Sequence, residues 1–231
     1  MVSSPVPWWP WGLFAALLAL EAWLVLANRQ VGAARVDGWL FTHRDHLPIP
    51  FLLIGLVTRL LTREPAAAWR QPWLQPLGIA LIIVGESLRI WSVGIVGAST
   101  RSASVHATRL VQDGPYAVIR NPIYAGNFLL CIGLSGLTAS WEAAAACAAY
   151  FLIVYRRIIR AEERFLRSAF GSVYDTYCRR VPRVIPHRFA TWRAEALQAP
   201  FSLKELRKEY QTIAGILCAA ALVYGAAWFG H

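Results

Sequence analysis

The chain is 231 residues long, 57% hydrophobic and only 16% charged, with a formal net charge of +10 and a mean hydropathy of +0.42. Those proportions exclude a disordered chain, a coiled coil, a disulfide scaffold and a water-soluble nucleic-acid binder, because apolar runs of this length belong in a bilayer. The excess positive charge is local: 13 of the 23 Lys and Arg fall between residues 156 and 208, while the first 20 residues carry no charge. Basic clusters beside spanning helices lie on the cytoplasmic side and meet anionic lipid headgroups, so the charge points to a membrane and not to nucleic acid.

In chain order, the first apolar run covers residues 8–27 and is interrupted only by Glu21, which stands alone. It lacks a basic leader and opens with Trp8, Trp9 and Trp11, which reads as an interfacial anchor on a retained helix. A second, shorter span is expected at 47–61, and a third at 74–97 with Glu86 and Arg89 inside it. Residues 98–121 are polar and contain a Gly114-Pro115 turn signal. The apolar stretch 122–155 is broken by Ser135-Gly136-Leu137-Thr138-Ala139-Ser140, which predicts a tight hairpin of two helices of about 16 residues, each rising ~24 Å. From 156 to 188 the sequence predicts a charged helix outside the bilayer, with Ile158, Ile159, Phe165, Leu166 and Phe170 near helical spacing and Gly171 as its stop. A charged amphipathic segment at 203–210 is expected at the interface, and a last span at 213–229.

The expected architecture is therefore all-α and polytopic, with about six transmembrane helices, a helical hairpin and a cytoplasmic cofactor-binding region. Its parts are an N-terminal three-helix region (1–97), a core of polar loop, hairpin and basic segment (98–188), and an interfacial segment with a final helix (189–231). Placing 98–121 and 156–210 on one side puts 19 Lys and Arg there and three on the other. That asymmetry favours both termini outside and the polar segments in the cytoplasm.

The polar motifs are each weak when taken singly. Asn121-Pro122 reads as a helix N-cap followed by proline at the first helical position. Gly114-Pro115 reads as a turn, Gly126, Gly133 and Gly136 as helix-packing sites, and Glu162-Glu163 as a solvated charged face. Taken together and in order, Gly114-Pro-Tyr116, Arg120-Asn-Pro-Ile-Tyr124-Ala-Gly126, Glu162-Glu163, Phe170-Gly-Ser-Val-Tyr174-Asp-Thr-Tyr177 and Val181-Pro-Arg-Val-Ile185-Pro186 resemble a known family. It is the isoprenylcysteine carboxyl methyltransferase and phospholipid methyltransferase group of integral membrane methyltransferases. Leu88-Arg89-Ile90-Trp91 is similar to that family's third-helix signature, so the resemblance runs from residue 88 to 186. Two departures stand out. The family's usual His is Asn121 here, which caps a helix and hydrogen-bonds but does not titrate near neutrality; and the chain continues beyond Pro186.

The resemblance implies an S-adenosylmethionine-dependent transfer at the membrane–cytoplasm interface to a lipid or prenylated acceptor, most directly carboxyl O-methylation of an isoprenylcysteine-like substrate. Phospholipid amine N-methylation and an NADPH-dependent reductase of the steroid 5-alpha-reductase type are the alternatives. It implies cofactor contacts from Val111, Gly114, Tyr116, Arg120, Asn121, Pro122, Tyr124, Glu162 and Glu163, with Tyr124, Glu163 and Arg89 as catalytic candidates. The physical chemistry agrees: a helix opening at Pro122 offers backbone N–H groups to a carboxylate, with Arg120 beside it. Tyr124 suits a cationic group, and the glutamates suit ribose hydroxyls or an ammonium. The implied location is a bacterial inner membrane with the site facing the cytoplasm.

Glu86 and Arg89, at i and i+3, either neutralise one another or leave Arg89 to meet an anionic substrate head. Cys131, Cys147, Cys178 and Cys218 show no CxxC or Cys/His spacing, and His43, His46 and His106 lack ligand-spaced partners, so no metal is expected.

Overall fold

The computed structural model describes residues 73–96, 109–137, 141–186 and 201–202. The expected spans at 8–27, 47–61 and 213–229, the interfacial segment 203–210, Glu21, Cys218 and the three histidines named above lie outside the described residues.

Every regular element among the described residues is a helix and none is a β-strand, so the all-α expectation is met. Helix α1 spans Leu74–Val96, 23 residues, and rises ~34 Å, enough to cross a hydrocarbon core of ~30 Å. Among the described residues it is the one helix long and apolar enough for that. Its start and end fall within a residue of the expected third span. A short 3₁₀ turn, Gly114–Ala117, precedes α2 at Pro122–Leu137, which is apolar but only 16 residues long. Helix α3, Trp141–Tyr150, runs without a break through a π-helical turn, Phe151–Tyr155, into α4 at Arg156–Phe170. Helix α2 ends at Leu137, inside the Ser/Thr/Gly patch that predicted a hairpin, and α3 begins at Trp141. Gly171 ends α4 with φ +51°, a left-handed conformation that glycine adopts at little cost, and its N–H returns to Arg167 O at 2.9 Å. Helix α5, Ser172–Arg180, follows at once.

Glycines set the α1–α2 crossing. A Cβ on Gly85 would sit 2.8 Å from Gly126 O, and one on Gly126 would sit 2.7 Å from Gly85 O; Gly78 and Gly133 form the same reciprocal contact at 2.8 and 2.7 Å. The pairing of 78 with 133 and of 85 with 126 makes the helices antiparallel. Where lipid removes the hydrophobic drive between helices, close backbone approach of this kind supplies the packing energy. Gly126 and Gly133 thus occupy the packing role expected for them, and their partners on α1 are also glycines.

Behind this crossing lies a core of Tyr124, Cys131, Cys147, Tyr150, Val154, Tyr155, Ile158 and Ile159, drawn from α2, α3, the π-turn and α4. A smaller cluster of Tyr174, Tyr177 and Val181 packs with Leu110, Leu166 and Phe170. Outward-facing Leu77, Ile79, Ile83 and Val84 on α1, and Leu152 and Ile153 in the π-turn, are exposed, the arrangement a lipid surround favours. One turn further on, the exposed residues become Arg156, Arg160 and Arg164, while Ile158, Ile159 and Glu163 turn inward. The change from apolar to cationic along one helix marks the start of the charged helix anticipated from residue 156.

Candidate active site

The site is assembled by the 3₁₀ turn, the entrance of α2, the middle of α4 and the chain leaving α5. Gly114 has φ +58° and lies against Trp91 and Ile95 near the end of α1; an added Cβ would come 3.3 Å from Trp91 Nε1 and collide with Ile95. That position demands glycine for conformation and for space. The turn is pinned from the other side by Tyr177, whose hydroxyl donates to Tyr116 O at 2.6 Å. The backbone N–H groups of Arg120 and Asn121 then donate to Pro182 O at 2.8 Å and Arg183 O at 3.1 Å, and the Asn121 side-chain amide also donates to Arg183 O at 3.0 Å. The closing Val181–Pro182–Arg183 segment is therefore laced to the entrance of α2, where Pro122 is fully buried at the first helical position.

Arg120 works in two directions. One guanidinium nitrogen donates to Cys178 O at 3.0 Å and Val181 O at 2.6 Å, satisfying carbonyls that the end of α5 leaves without intrahelical partners. The other two donate to Glu163 Oε1 at 3.3 and 2.9 Å. Arg183 completes the group, donating to Glu163 Oε1 at 3.0 Å and also to Oε2. The Glu163 side chain, 9% exposed, thus sits between a partly buried arginine and a half-exposed one, at 11% and 45%. Burial pushes the Glu163 carboxyl up, but the hydrogen bonds and charges of Arg183 and Arg120 outweigh it and hold the group below its ordinary value. Nearby, burial and the Glu163 charge raise the Tyr174 phenol, and burial raises Tyr177, so both hydroxyls stay protonated through the neutral range.

Glu162 faces elsewhere, because adjacent residues on a helix point ~100° apart. It is half-buried, and its Oε1 accepts from the Tyr124 hydroxyl at 2.6 Å. Tyr124 is itself buried on α2, and its ring meets Tyr155 edge to face with centroids 5.1 Å apart. The Glu-Glu pair therefore divides into a residue that locks the fold and one that reaches the α2 entrance.

One turn deeper, Arg89 lies 3.6 Å from Glu86, is buried, and donates to Asn127 Oδ1; Asn127 Nδ2 donates to the Tyr155 hydroxyl at 3.2 Å. The i,i+3 pairing of Glu86 and Arg89 is the first of the two readings given above. Val111 is half-buried in the segment before the turn. The structure thus gathers Tyr116, Arg120, Asn121, Pro122, Tyr124, Glu162 and Glu163 at one end of the hairpin, sets Gly114 beneath them against α1, and leaves Arg89 deeper. Sequence reasoning did not single out Arg183, Asn127 or Tyr155. Arg183 lay inside a motif already identified, whereas Asn127 in an apolar helix was a buried polar residue in need of partners.

Residues 73–173 match the sequence profile of the phospholipid methyltransferase family. The chain is 35% identical over 128 residues to the cobalt-zinc-cadmium resistance protein CzcN of Cupriavidus metallidurans, covering 55% of this chain and 57% of that protein. It is 29% identical over 164 residues to the nickel-cobalt-cadmium resistance protein NccN of Alcaligenes xylosoxydans xylosoxydans, covering 70% and 72%. It is 30% identical over 120 residues to protein-S-isoprenylcysteine O-methyltransferase B of Arabidopsis thaliana, covering 49% and 60%. The match to the first and third of these relatives spans less than two thirds of their length. No solved structure matches the chain significantly.

Proposed function

We propose, for a chain whose residues 73–173 match the phospholipid methyltransferase family, that it is an integral membrane methyltransferase. Its methyl donor is S-adenosylmethionine, bound at the membrane–cytoplasm interface, and its acceptor is an amphiphile with an isoprenylcysteine-like carboxylate. The observation that carries the reading is the 2.6 Å hydrogen bond from Tyr124 to Glu162, which joins the α2 entrance to α4 across the whole hairpin. The isoprenylcysteine O-methyltransferase among the relatives supports a carboxylate acceptor. The description of the family profile supports an amine acceptor as the second reading. The charge asymmetry supports six spans with both termini outside, and the bacterial relatives support an inner-membrane location.

The donor set fits this cofactor. The first turn of α2, opened by Pro122, presents N–H groups suited to an amino-acid carboxylate. Glu162 suits an ammonium or ribose hydroxyls, and Tyr124 holds one of its oxygens in a fixed direction. Arg120 and Glu163 are engaged with each other and with Arg183, so their part is to hold the closing segment against the α2 entrance. When bound, S-adenosylmethionine supplies a methyl group on a sulfonium leaving group. The protein's task is alignment and exclusion of water. A carboxylate acceptor requires no proton transfer, whereas an amine acceptor gives Glu162 the task of accepting a proton from the attacking nitrogen.

Calorimetric titration of the detergent-solubilised protein with S-adenosylmethionine, and separately with NADPH, tests the reading. Saturable binding of the first alone is expected; binding of NADPH alone overturns it. Radiolabelled methyl transfer to a farnesylated cysteine against phosphatidylethanolamine then decides between the two acceptors.

A further inference from the structure

Asn127 is a buried amide in the middle of an apolar helix, where asparagine is a poor helix former and an unsatisfied polar group is costly. Both ends of its amide are used. Arginine only donates, so the amide oxygen must face Arg89, and the amide nitrogen is left to donate to the Tyr155 hydroxyl at 3.2 Å. The Tyr155 ring is caged in turn: it stacks on Phe151 at 4.1 Å with planes 14° apart, and meets Tyr150 and Tyr124 edge-on at 5.8 and 5.1 Å. Tyr124 lies one turn before Asn127 on the same face of α2 and places its hydroxyl on Glu162. A continuous file thus runs from Glu86 and Arg89, deep in α1, through Asn127 and Tyr155 to Tyr124 and Glu162. The π-helical turn that carries Tyr155 belongs to the same file, and such turns recur at functional sites.

We infer that Asn127 is a positioning residue of the site: by tying Tyr155 to Arg89 it fixes the ring against which Tyr124 rests, and so sets the direction of the Tyr124 hydroxyl toward Glu162. The consequence for the cofactor rests on the proposed function; the positioning itself does not. Asn127→Leu keeps the size of the side chain and removes both hydrogen bonds. Asn127→Asp keeps an acceptor for Arg89 and accepts from the Tyr155 hydroxyl instead of donating to it, so the tie survives with its direction reversed. Tyr155→Phe keeps the ring and loses the tie, and serves where Asn127→Leu does not fold.

The experiment is carried out on the full chain in detergent, labelled with [ζ-13C]tyrosine, with the Tyr124 resonance assigned by its loss in Tyr124→Phe. Asn127→Leu and Tyr155→Phe are expected to move or broaden that resonance in the ligand-free protein, and Asn127→Asp is expected to restore a single sharp signal. A Tyr124 signal in Asn127→Leu that superimposes on the wild type overturns the inference. In calorimetry with S-adenosylmethionine, Asn127→Leu should bind roughly tenfold more weakly, equivalent to ~1.4 kcal/mol, and the double variant with Tyr124→Phe should bind no worse than Tyr124→Phe alone. Additive losses overturn the inference. A wild-type protein that takes up no S-adenosylmethionine overturns the proposed function, while the resonance still decides the positioning role.

Discussion

Among the described residues, two Glu–Arg groups are largely withdrawn from solvent, and they are built on opposite principles. In α1, Glu86 and Arg89 are neighbours on one helix face, 3.6 Å apart, and the geometry is settled by four residues of chain. At the far end of the hairpin, Glu163 is shared by Arg120 and Arg183, which arrive from segments separated from it by 43 and 20 residues. The first group neutralises a charge that the membrane would otherwise penalise. The second closes a loop: it fastens the chain leaving α5 to the entrance of α2 and thereby shapes the place where Glu162 and Tyr124 meet. The local pair holds Arg89 on α1, where it meets Asn127 of α2, and the long-range group fastens the segments around the site.

The sharpest way to break this comparison is to pull the two regions apart at the glycine crossing. Gly126→Val places side-chain carbon where the Gly85 carbonyl already sits at 2.7 Å from an ideal Cβ, and Arg89 Cγ lies at the same distance. The expected outcome is no monodisperse folded protein on size exclusion in detergent.

Next in size is Glu163→Ala, which leaves the partly buried Arg120 guanidinium without its carboxylate. Removing one partner of a buried ion pair typically costs about 3–5 kcal/mol, to be read as a large fall in the thermal midpoint. Cofactor binding should fall with it, because the closing segment loses its fastening. The same link has a pH signature. Since the folded protein holds the Glu163 carboxyl below its ordinary 4.5, its stabilising contribution is complete above that value and is lost as the pH falls through the lowered one. Unfolding followed from pH 6 downward should show a loss that Glu163→Gln does not share.

Tyr124→Phe removes one charge-assisted hydrogen bond and little packing. Such a bond is worth about 1.5–3 kcal/mol. Because it is made within the folded protein, part of that is expected as a modest fall in the thermal midpoint, and S-adenosylmethionine binding should weaken because Glu162 loses the hydroxyl that orients it. Asn121→His should be milder, because an imidazole N–H can replace the amide donor to Arg183 O. Arg167→Ala is the smallest: its bond to Asp175 is exposed on both sides, and no measurable change in the midpoint is expected.

The sequence revealed what short-range rules govern. The ends of α1, the end of α2 at Leu137, proline at the start of α2, the stop at Gly171 and the i,i+3 pairing of Glu86 with Arg89 each depend on a few adjacent residues. The motif order indicated that Arg120, Tyr124 and the Glu162-Glu163 pair belong together, and the hairpin explains why. It did not indicate which glutamate meets which partner, since that depends on a rotation of ~100° between adjacent residues on α4. Arg183 escaped notice because an arginine in a basic segment resembles its neighbours until the carboxylate between it and Arg120 is seen. Gly78 and Gly85 escaped because a single glycine in an apolar helix shows its purpose only beside the glycine it faces.

In the proposed site Glu162, held by Tyr124, faces the cofactor while Glu163 holds the closing segment in place. Calorimetric titration of S-adenosylmethionine into folded wild-type protein, Glu162→Ala, and the Glu162→Ala/Glu163→Ala double variant tests it most directly. The wild type is expected to bind, Glu162→Ala to bind at least roughly tenfold more weakly with its thermal midpoint lowered far less than that of Glu163→Ala, and the double variant not to bind. Wild-type affinity in a folded double variant would contradict it.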